Sequence, residues 1–253
     1  MRFCSLGSGS RGNGTLVQAD DICVLIDCGF SLRELKRRLA AVDFAIEDLS
    51  AILVTHEHAD HAQGVGRAAR ASGAAVMATA GTWRGMRVVP GIDDQVIQAE
   101  QELRIGALGI LPVTVPHDAR EPVQFRFQHR EHRLGVLTDL GHPTAHVVEA
   151  FRGCDGLLLE YNHDVDMLRD GSYPEGLKRR VGGAFGHLAN GQSSALLECL
   201  EPDRLQVLVA GHLSEQNNTR ELAWSALETV MVGRQARREL AQQNHCSGWF
   251  AID

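Results

Sequence analysis

Short apolar runs, broken by glycine, proline and acidic turns, set the pattern of this chain. Thr15-Leu16-Val17-Gln18 and Ile22-Cys23-Val24-Leu25-Ile26-Asp27 read as two early strands joined at Asp20-Asp21. Ser31 stands where an N-cap would, with Glu34 as its capping-box partner, so a helix is predicted over 31–41 with Leu35, Leu39 and Ala40 inside it. After the run Ala51-Ile52-Leu53-Val54, a second helix rich in alanine and arginine is predicted from Ala62 to Ala71. Short strands and turns fill 74–138. Then the period alternates: helix near 143–151, strand 156–160, helices around 164–169 and 174–181, helix 192–200, strand 205–210, helix 218–232. Such alternation predicts two β-sheets between outer helices. No linker, low-complexity segment or internal repeat asks for a second domain, so residues 1–253 are expected to form one α/β domain.

Chemistry concentrates where the 51–54 run ends. His56-Glu57-His58-Ala59-Asp60-His61 holds four good metal ligands within six residues. His56 and His58 can share one metal, and Asp60 and His61 can turn toward a second beside it. Neutral imidazole and carboxylate suit zinc, manganese or iron. Solvated loop histidines would leave the clustering unexplained. Of the twelve histidines, His129, His132, His142, His146 and His245 sit in polar or turn-like contexts and read as surface residues. His117, Asp139 and His212 differ: each lies at or just past the end of an apolar strand, where open sheets collect functional groups. His187 lies in the turn-rich Gly186-His187-Leu188-Ala189-Asn190-Gly191.

The order HxHxDH, His, Asp, His resembles the metallo-β-lactamase superfamily over nearly the whole chain. That resemblance implies a four-layer αββα sandwich and two divalent ions, zinc or manganese with iron also compatible. His56, His58 and His117 would hold the first ion, Asp60, His61 and His212 the second, and Asp139 would bridge them. Within the superfamily, His117-Asp118-Ala119-Arg120-Glu121-Pro122-Val123, Glu160-Tyr161-Asn162-His163-Asp164, Gly186-His187-Leu188-Ala189-Asn190 and the segment 211–218 resemble the YycJ/WalJ-like family. This implies a metal-dependent exonuclease acting on DNA ends, with single strands favoured. Too few residues separate Asp139 from Glu160 for the β-CASP domain that RNA-processing members insert there.

Such a site would use a water acidified between two ions as nucleophile. Asp60 could orient it. The loop of His187 corresponds in order to the histidine motif of RNase Z-like nucleases, so His187 is the candidate to protonate the leaving oxygen or bind the phosphate; a loop-capping role is the alternative. His163 could contact phosphate, orient His187 or cap the following helix. Glu160 could fix a ligand imidazole in one tautomer. In the loop 5–14, glycine N–H groups with Ser8, Ser10 and Asn13 could bind phosphate, and a plain hairpin turn fits the same composition. Arg11 stands where the family often has serine.

Composition narrows the partners. The 253 residues are 44% hydrophobic and 23% charged, ordinary for a globular domain. A net charge of −7, with a pI near 5.9, argues against wrapping a duplex and for local contact with a strand end. Basic runs at Lys36-Arg37-Arg38, Lys178-Arg179-Arg180 and 234–238 read as solvated helix faces, the second set apart because it shortly precedes His187. Trp83 and Arg84 could stack on bases, or Trp83 could be buried. No apolar run is long enough for a membrane span, and no signal peptide is readable. The six cysteines, without a CxxC, read as reduced thiols in a cytoplasmic chain. Nothing in the pattern fixes an oligomeric state. The competing function is hydrolysis of small esters, thioesters or lactones, which calls for an apolar pocket without a basic strip.

Overall fold

The computed structural model describes residues 1–86 and 91–253. Two seven-stranded mixed sheets share one apolar interior, and helices cover their outer faces. The first sheet takes Arg2–Gly7 (β1), Gly14–Ala19 (β2), Ile22–Ile26 (β3), Ala51–Leu53 (β4), Ala75–Thr79 (β5) and Asp94–Ile97 (β6). The second takes Leu103–Ile105 (β7), Leu108–Thr114 (β8), Val123–His129 (β9), His132–Leu137 (β10), Gly156–Glu160 (β11), Val207–Gly211 (β12) and Arg237–Leu240 (β13). Phe250–Ala251 (β14) returns to pair with β1. Each sheet begins antiparallel and continues parallel: β3 to β6 in one, β10 to β13 in the other.

The helices are Leu32–Ala40 (α1), Ala59–Ala62 (α2), Val65–Ser72 (α3), Ala80–Gly85 (α4), Ala145–Phe151 (α5), Val165–Asp170 (α6), Glu175–Val181 (α7), Asn190–Cys199 (α8) and Arg220–Met231 (α9). No helix among the described residues is long and apolar enough to cross a membrane. All six cysteines are free thiols.

The inner parallel strands β3, β4, β11 and β12 are buried on both faces, which is why they read as continuous apolar runs. Successive side chains point to opposite faces. Val24 and Ile26 enter the central core, with Leu158, Val207 and Val209 from the other sheet. Cys23 and Leu25 face the layer of Leu35, Leu39, Val65 and Ala68. Leu157, Leu159, Leu208 and Ala210 face Phe151, Leu196, Leu197, Leu227 and Met231. The result is the αββα order expected from the alternating pattern.

Several local expectations change. Ser31 does cap α1, accepting from Glu34 N at 3.3 Å, but the Glu34 carboxylate does not close a capping box. It pairs instead with Arg37 and with Arg38, each at 2.7 Å. The helix predicted from Ala62 to Ala71 is two pieces, and Asp60 and His61 lie in the first. Gly64 sits at the break, where a Cβ would lie 2.0 Å from the Phe30 carbonyl oxygen. The run 234–238 is not a helix face: Arg237 and Arg238 begin edge strand β13. Arg38 is not solvated but 4% exposed, with Nη1 donating to the Leu6 and Gln243 carbonyls and its guanidinium 4.2 Å over the Phe30 ring. His129, read as a surface residue, is buried against Asp20 at 3.0 Å.

A candidate dinuclear metal centre

The strand ends gather the polar groups. Asp27 follows β3, residues 55–61 follow β4, Asp139 follows β10, Glu160 ends β11 and His212 follows β12. These are the C-terminal ends of parallel strands, where open sheets present their sites. His117 comes from the turn after β8. Asp27, Asp139 and His212 adopt left-handed backbone, with φ of 59°, 56° and 54°. Asp and His are among the non-glycine residues that adopt this conformation most readily.

All seven residues of the HxHxDH, His, Asp, His series come together. His56, His58 and His117 form one group that could hold a metal ion, and Asp60, His61 and His212 form another. Asp139 lies between them: its Oδ2 is 3.2 Å from both His61 Nε2 and His212 Nδ1, and its Oδ1 is 3.9 Å from His117 Nε2.

Hydrogen bonds behind the rings settle which nitrogens face inward. Thr55 Oγ1 donates to Asp27 Oδ2 at 2.8 Å, so that hydroxyl can only accept from His56 Nδ1, at 2.9 Å. His61 Nδ1 donates to the same Asp27 oxygen at 2.8 Å, and His117 Nδ1 to the Gly186 carbonyl at 3.1 Å. With Nδ1 protonated in each, the three Nε2 atoms point into the centre; burial keeps His56 and His117 neutral with lone pairs there, and His61 offers its own once a cation displaces the second proton. His56 Nε2 faces His58 Nδ1 at 3.0 Å, and His117 Nε2 faces the same atom at 3.4 Å. One His58 proton cannot satisfy both, whereas a shared cation can. The buried Asp139 Oδ2 and His212 Nδ1 also lack hydrogen-bond partners among the described residues. The donor set, imidazole nitrogens and carboxylate oxygens, fits divalent transition metals.

The electrostatics agree. Burial drives His56 well below the usual histidine range, helped by the neighbouring His61. Burial also opposes charge on His61, but Asp139 and Asp27 outweigh it and hold His61 well above that range. Burial would raise the Asp139 carboxyl; His212 and His61 overcome it and keep Asp139 well below the carboxylate range. A buried carboxylate held ionised between histidines is a ready place for cations.

Beside this centre is a cavity of about 340 Å³, lined by Ser10, Asp118, Asn162, Arg180, His187 and Ser214 among others. His187 Nδ1 donates to Glu160 Oε1 at 2.7 Å. Glu160 is fully buried, and its other oxygen accepts from Leu140 N and Leu188 N, each at 3.1 Å. Burial opposes charge on His187, but the Glu160 carboxylate outweighs it and lifts the imidazole to about 9. Glu160 thus fixes His187 and leaves Nε2 free for the cavity.

Other candidates sit elsewhere. His163 lines a separate cavity with Lys178 and Arg179, and the cap of α6 is Asp164, not His163. His163 does not line the cavity beside the candidate centre. Ser8 and Asn13 are also engaged internally. Ser8 Oγ accepts from His212 N at 2.7 Å, while Asn13 accepts from Gly9 N and lies 3.0 Å from His61 Nε2. Only Ser10 of the three loop residues lines the metal cavity. The loop's glycines serve close packing: at Gly12 a Cβ would lie 2.8 Å from the Gly29 carbonyl oxygen. Trp83, half-buried, donates its indole N–H to the Gln95 carbonyl at 3.1 Å and does not line the metal cavity. Sequence reasoning missed Asp27, which organises both His61 and, through Thr55, His56. Its only signal was a polar residue directly after a buried strand, the same position that singled out Asp139.

Comparisons with known proteins bear on the family and the fold. A family model described as a beta-lactamase superfamily domain matches residues 23–209. The exodeoxyribonuclease WalJ of Streptococcus pneumoniae is 34% identical over 246 residues, covering 95% of this chain and 90% of that protein. The exodeoxyribonuclease YycJ of Bacillus anthracis is 33% identical over 235 residues, covering 91% and 89%. The crystal structure of the metallo-beta-lactamase fold protein YhfI from Bacillus subtilis shares the fold, with a TM-score of 0.75 at 16% identity over 97% of this chain and 98% of that one.

Proposed function

The chain belongs to the beta-lactamase superfamily and is a metal-dependent hydrolase, and from that premise we propose that it is an exonuclease that hydrolyses DNA phosphodiesters, single strands favoured, at a dinuclear centre. The observation that carries the reading is the lining of the cavity beside the centre: Arg180 and His187 stand there with Ser10, Asn162 and Ser214. A pocket for small esters or lactones calls for apolar walls. Here Tyr173, Leu177 and Val181 share the lining with a guanidinium and an imidazole, and it is those two cationic groups that suit a phosphodiester.

His56, His58 and His117 would hold one divalent ion and Asp60, His61 and His212 the other, with Asp139 shared; zinc and manganese suit these donors, and iron is compatible. When bound, the ions supply an acidified water and neutralise charge on the phosphate oxygens. The residues do the rest. Asp60 orients the nucleophile. His187, locked by Glu160 through Nδ1, gives the Nε2 proton to the leaving oxygen, and its raised pKa keeps that proton in place at neutral pH. We read residues 1–253 as one domain without a β-CASP insertion and place the chain in the cytoplasm, in keeping with its free thiols.

The test is end-labelled single-stranded and duplex DNA and RNA, offered to protein reconstituted with manganese or zinc, beside a thioester and a lactone. Progressive shortening of DNA that chelation abolishes is expected. Turnover of the thioester or lactone with intact oligonucleotides would overturn the reading.

A further inference from the structure

In the basic run Lys178-Arg179-Arg180, only Arg180 lines the metal cavity. Lys178 Nζ is occupied by the Arg169 carbonyl at 2.7 Å and by Glu175 at 3.1 Å. Arg180 donates Nε to Asp118 Oδ2, and among the described residues its two terminal nitrogens make no hydrogen bond. The Arg180 side chain is 59% exposed. Asp118 in turn rests against the ligands: its Oδ1 is 3.4 Å from His117 Nε2 and 3.8 Å from His58 Nε2.

Resting on the nuclease reading, we propose that Arg180 is the specificity-determining contact to the strand, taking the backbone phosphate next to the scissile one. A guanidinium held through Nε offers its two terminal amino groups as a fixed fork, and that fork matches two oxygens of one phosphate. Asp118 does the holding. Because Asp118 touches two ligands of one metal group, the fork is stationed one carboxylate away from the centre, where the strand must continue after the scissile bond. Arg180 also neutralises Asp118, which would otherwise face an incoming phosphate as a like charge. One pre-oriented cation at the cavity mouth thereby gives a chain of net charge −7 the local attraction that its overall field does not supply.

The test crosses enzyme and substrate changes. Manganese-loaded wild-type protein and Arg180→Met are given oligonucleotides in which a single phosphate, on either side of the scissile one, is replaced by a neutral methylphosphonate. Cleavage is followed as kcat/KM and binding by fluorescence anisotropy. Neutralising the contacted phosphate is expected to lower wild-type kcat/KM and affinity roughly tenfold or more, as loss of a charged hydrogen bond does. Arg180→Met should show a similar loss on the all-phosphate strand and no further loss on the neutralised one. Losses that multiply, or an Arg180→Met protein with wild-type affinity, overturn the proposal while leaving the nuclease reading standing. Wild-type protein that cleaves no oligonucleotide overturns the nuclease reading itself, and is recognised before any variant is made.

Discussion

Two walls face each other across the cavity, and they are built in opposite ways. On the ligand wall His56 and His61 are fully buried, Asp139 and His212 are each 2% exposed, and a hydrogen bond from behind fixes His56, His61 and His117. The opposite wall is α7, in which no residue is buried, and it meets the cavity with Leu177, Arg180 and Val181. Chemistry needs donors fixed to a fraction of an ångström, which only a packed interior provides. A polymer substrate needs a contact that can be entered and left, and an exposed helix suits that. The contrast predicts that substitutions on the ligand wall act through metal content, while those on the facing wall act through substrate alone.

The severest break should come at Asp139. Asparagine there removes a charge from between both groups and leaves His61 and His212, each 3.2 Å from Oδ2, without their shared partner. Asp139→Asn should lower bound metal well below that of the wild type and activity by about 10⁴-fold or more. Elemental analysis of the purified variant checks this; full metal content with full turnover would mean Asp139 does not bridge.

His187 lies where the walls meet, and it sharpens the contrast. His187→Ala should keep its metal and lose nuclease turnover on the order of 10²–10⁴-fold. The sign with pH follows from its raised pKa: the proton is present below about 9 and lost as pH rises through it. Bound cations shift that midpoint downward. The wild-type rate should therefore fall on the alkaline side, and the variant should lack that limb. Metal loss in His187→Ala would make it a ligand instead.

The ligand wall was also the legible one. Four candidate ligands crowd into 56–61, and the other candidates, His117, Asp139 and His212, stand out by following apolar strands. What stayed hidden depended on partners distant in sequence. Arg38 sits in a basic run that looks solvated, yet it is buried because β1 and the Gln243 segment bring carbonyls to it. The strands β13 and β14 are edge strands, defined by pairing with β12 and β1 and not by any pattern of their own. Asp27 looked like the end of a strand because its role exists only once His61 and Thr55 are folded against it.

Asp27 yields the next prediction. In Asp27→Asn the amide can still adopt left-handed backbone. If its N–H₂ faces His61 Nδ1, two donors oppose each other and His61 is driven to the tautomer with a proton on Nε2, toward the metals. Metal affinity in a buffered titration should fall about 10- to 100-fold, a smaller loss than at Asp139 because the ligand remains. Unchanged affinity would mean the bond from Asp27 does not set the tautomer.

The smallest effect belongs to α7 and asks whether that wall is energetically separate. Gly176 lies in its first turn, and a Cβ there would meet nothing within 4 Å. Alanine is a better helix former than glycine, by up to about 1 kcal/mol. In a helix packed into the core this gain would raise global stability. In α7, which buries no residue, it should remain local. Gly176→Ala should therefore slow hydrogen exchange at the amides of Lys178 and Gly182, which donate to Pro174 and Lys178 carbonyls at 3.0 and 2.9 Å. The urea midpoint should stay where it was. A midpoint that rises in step with the local protection would show α7 unfolding together with the core, and the two walls would then be one cooperative unit.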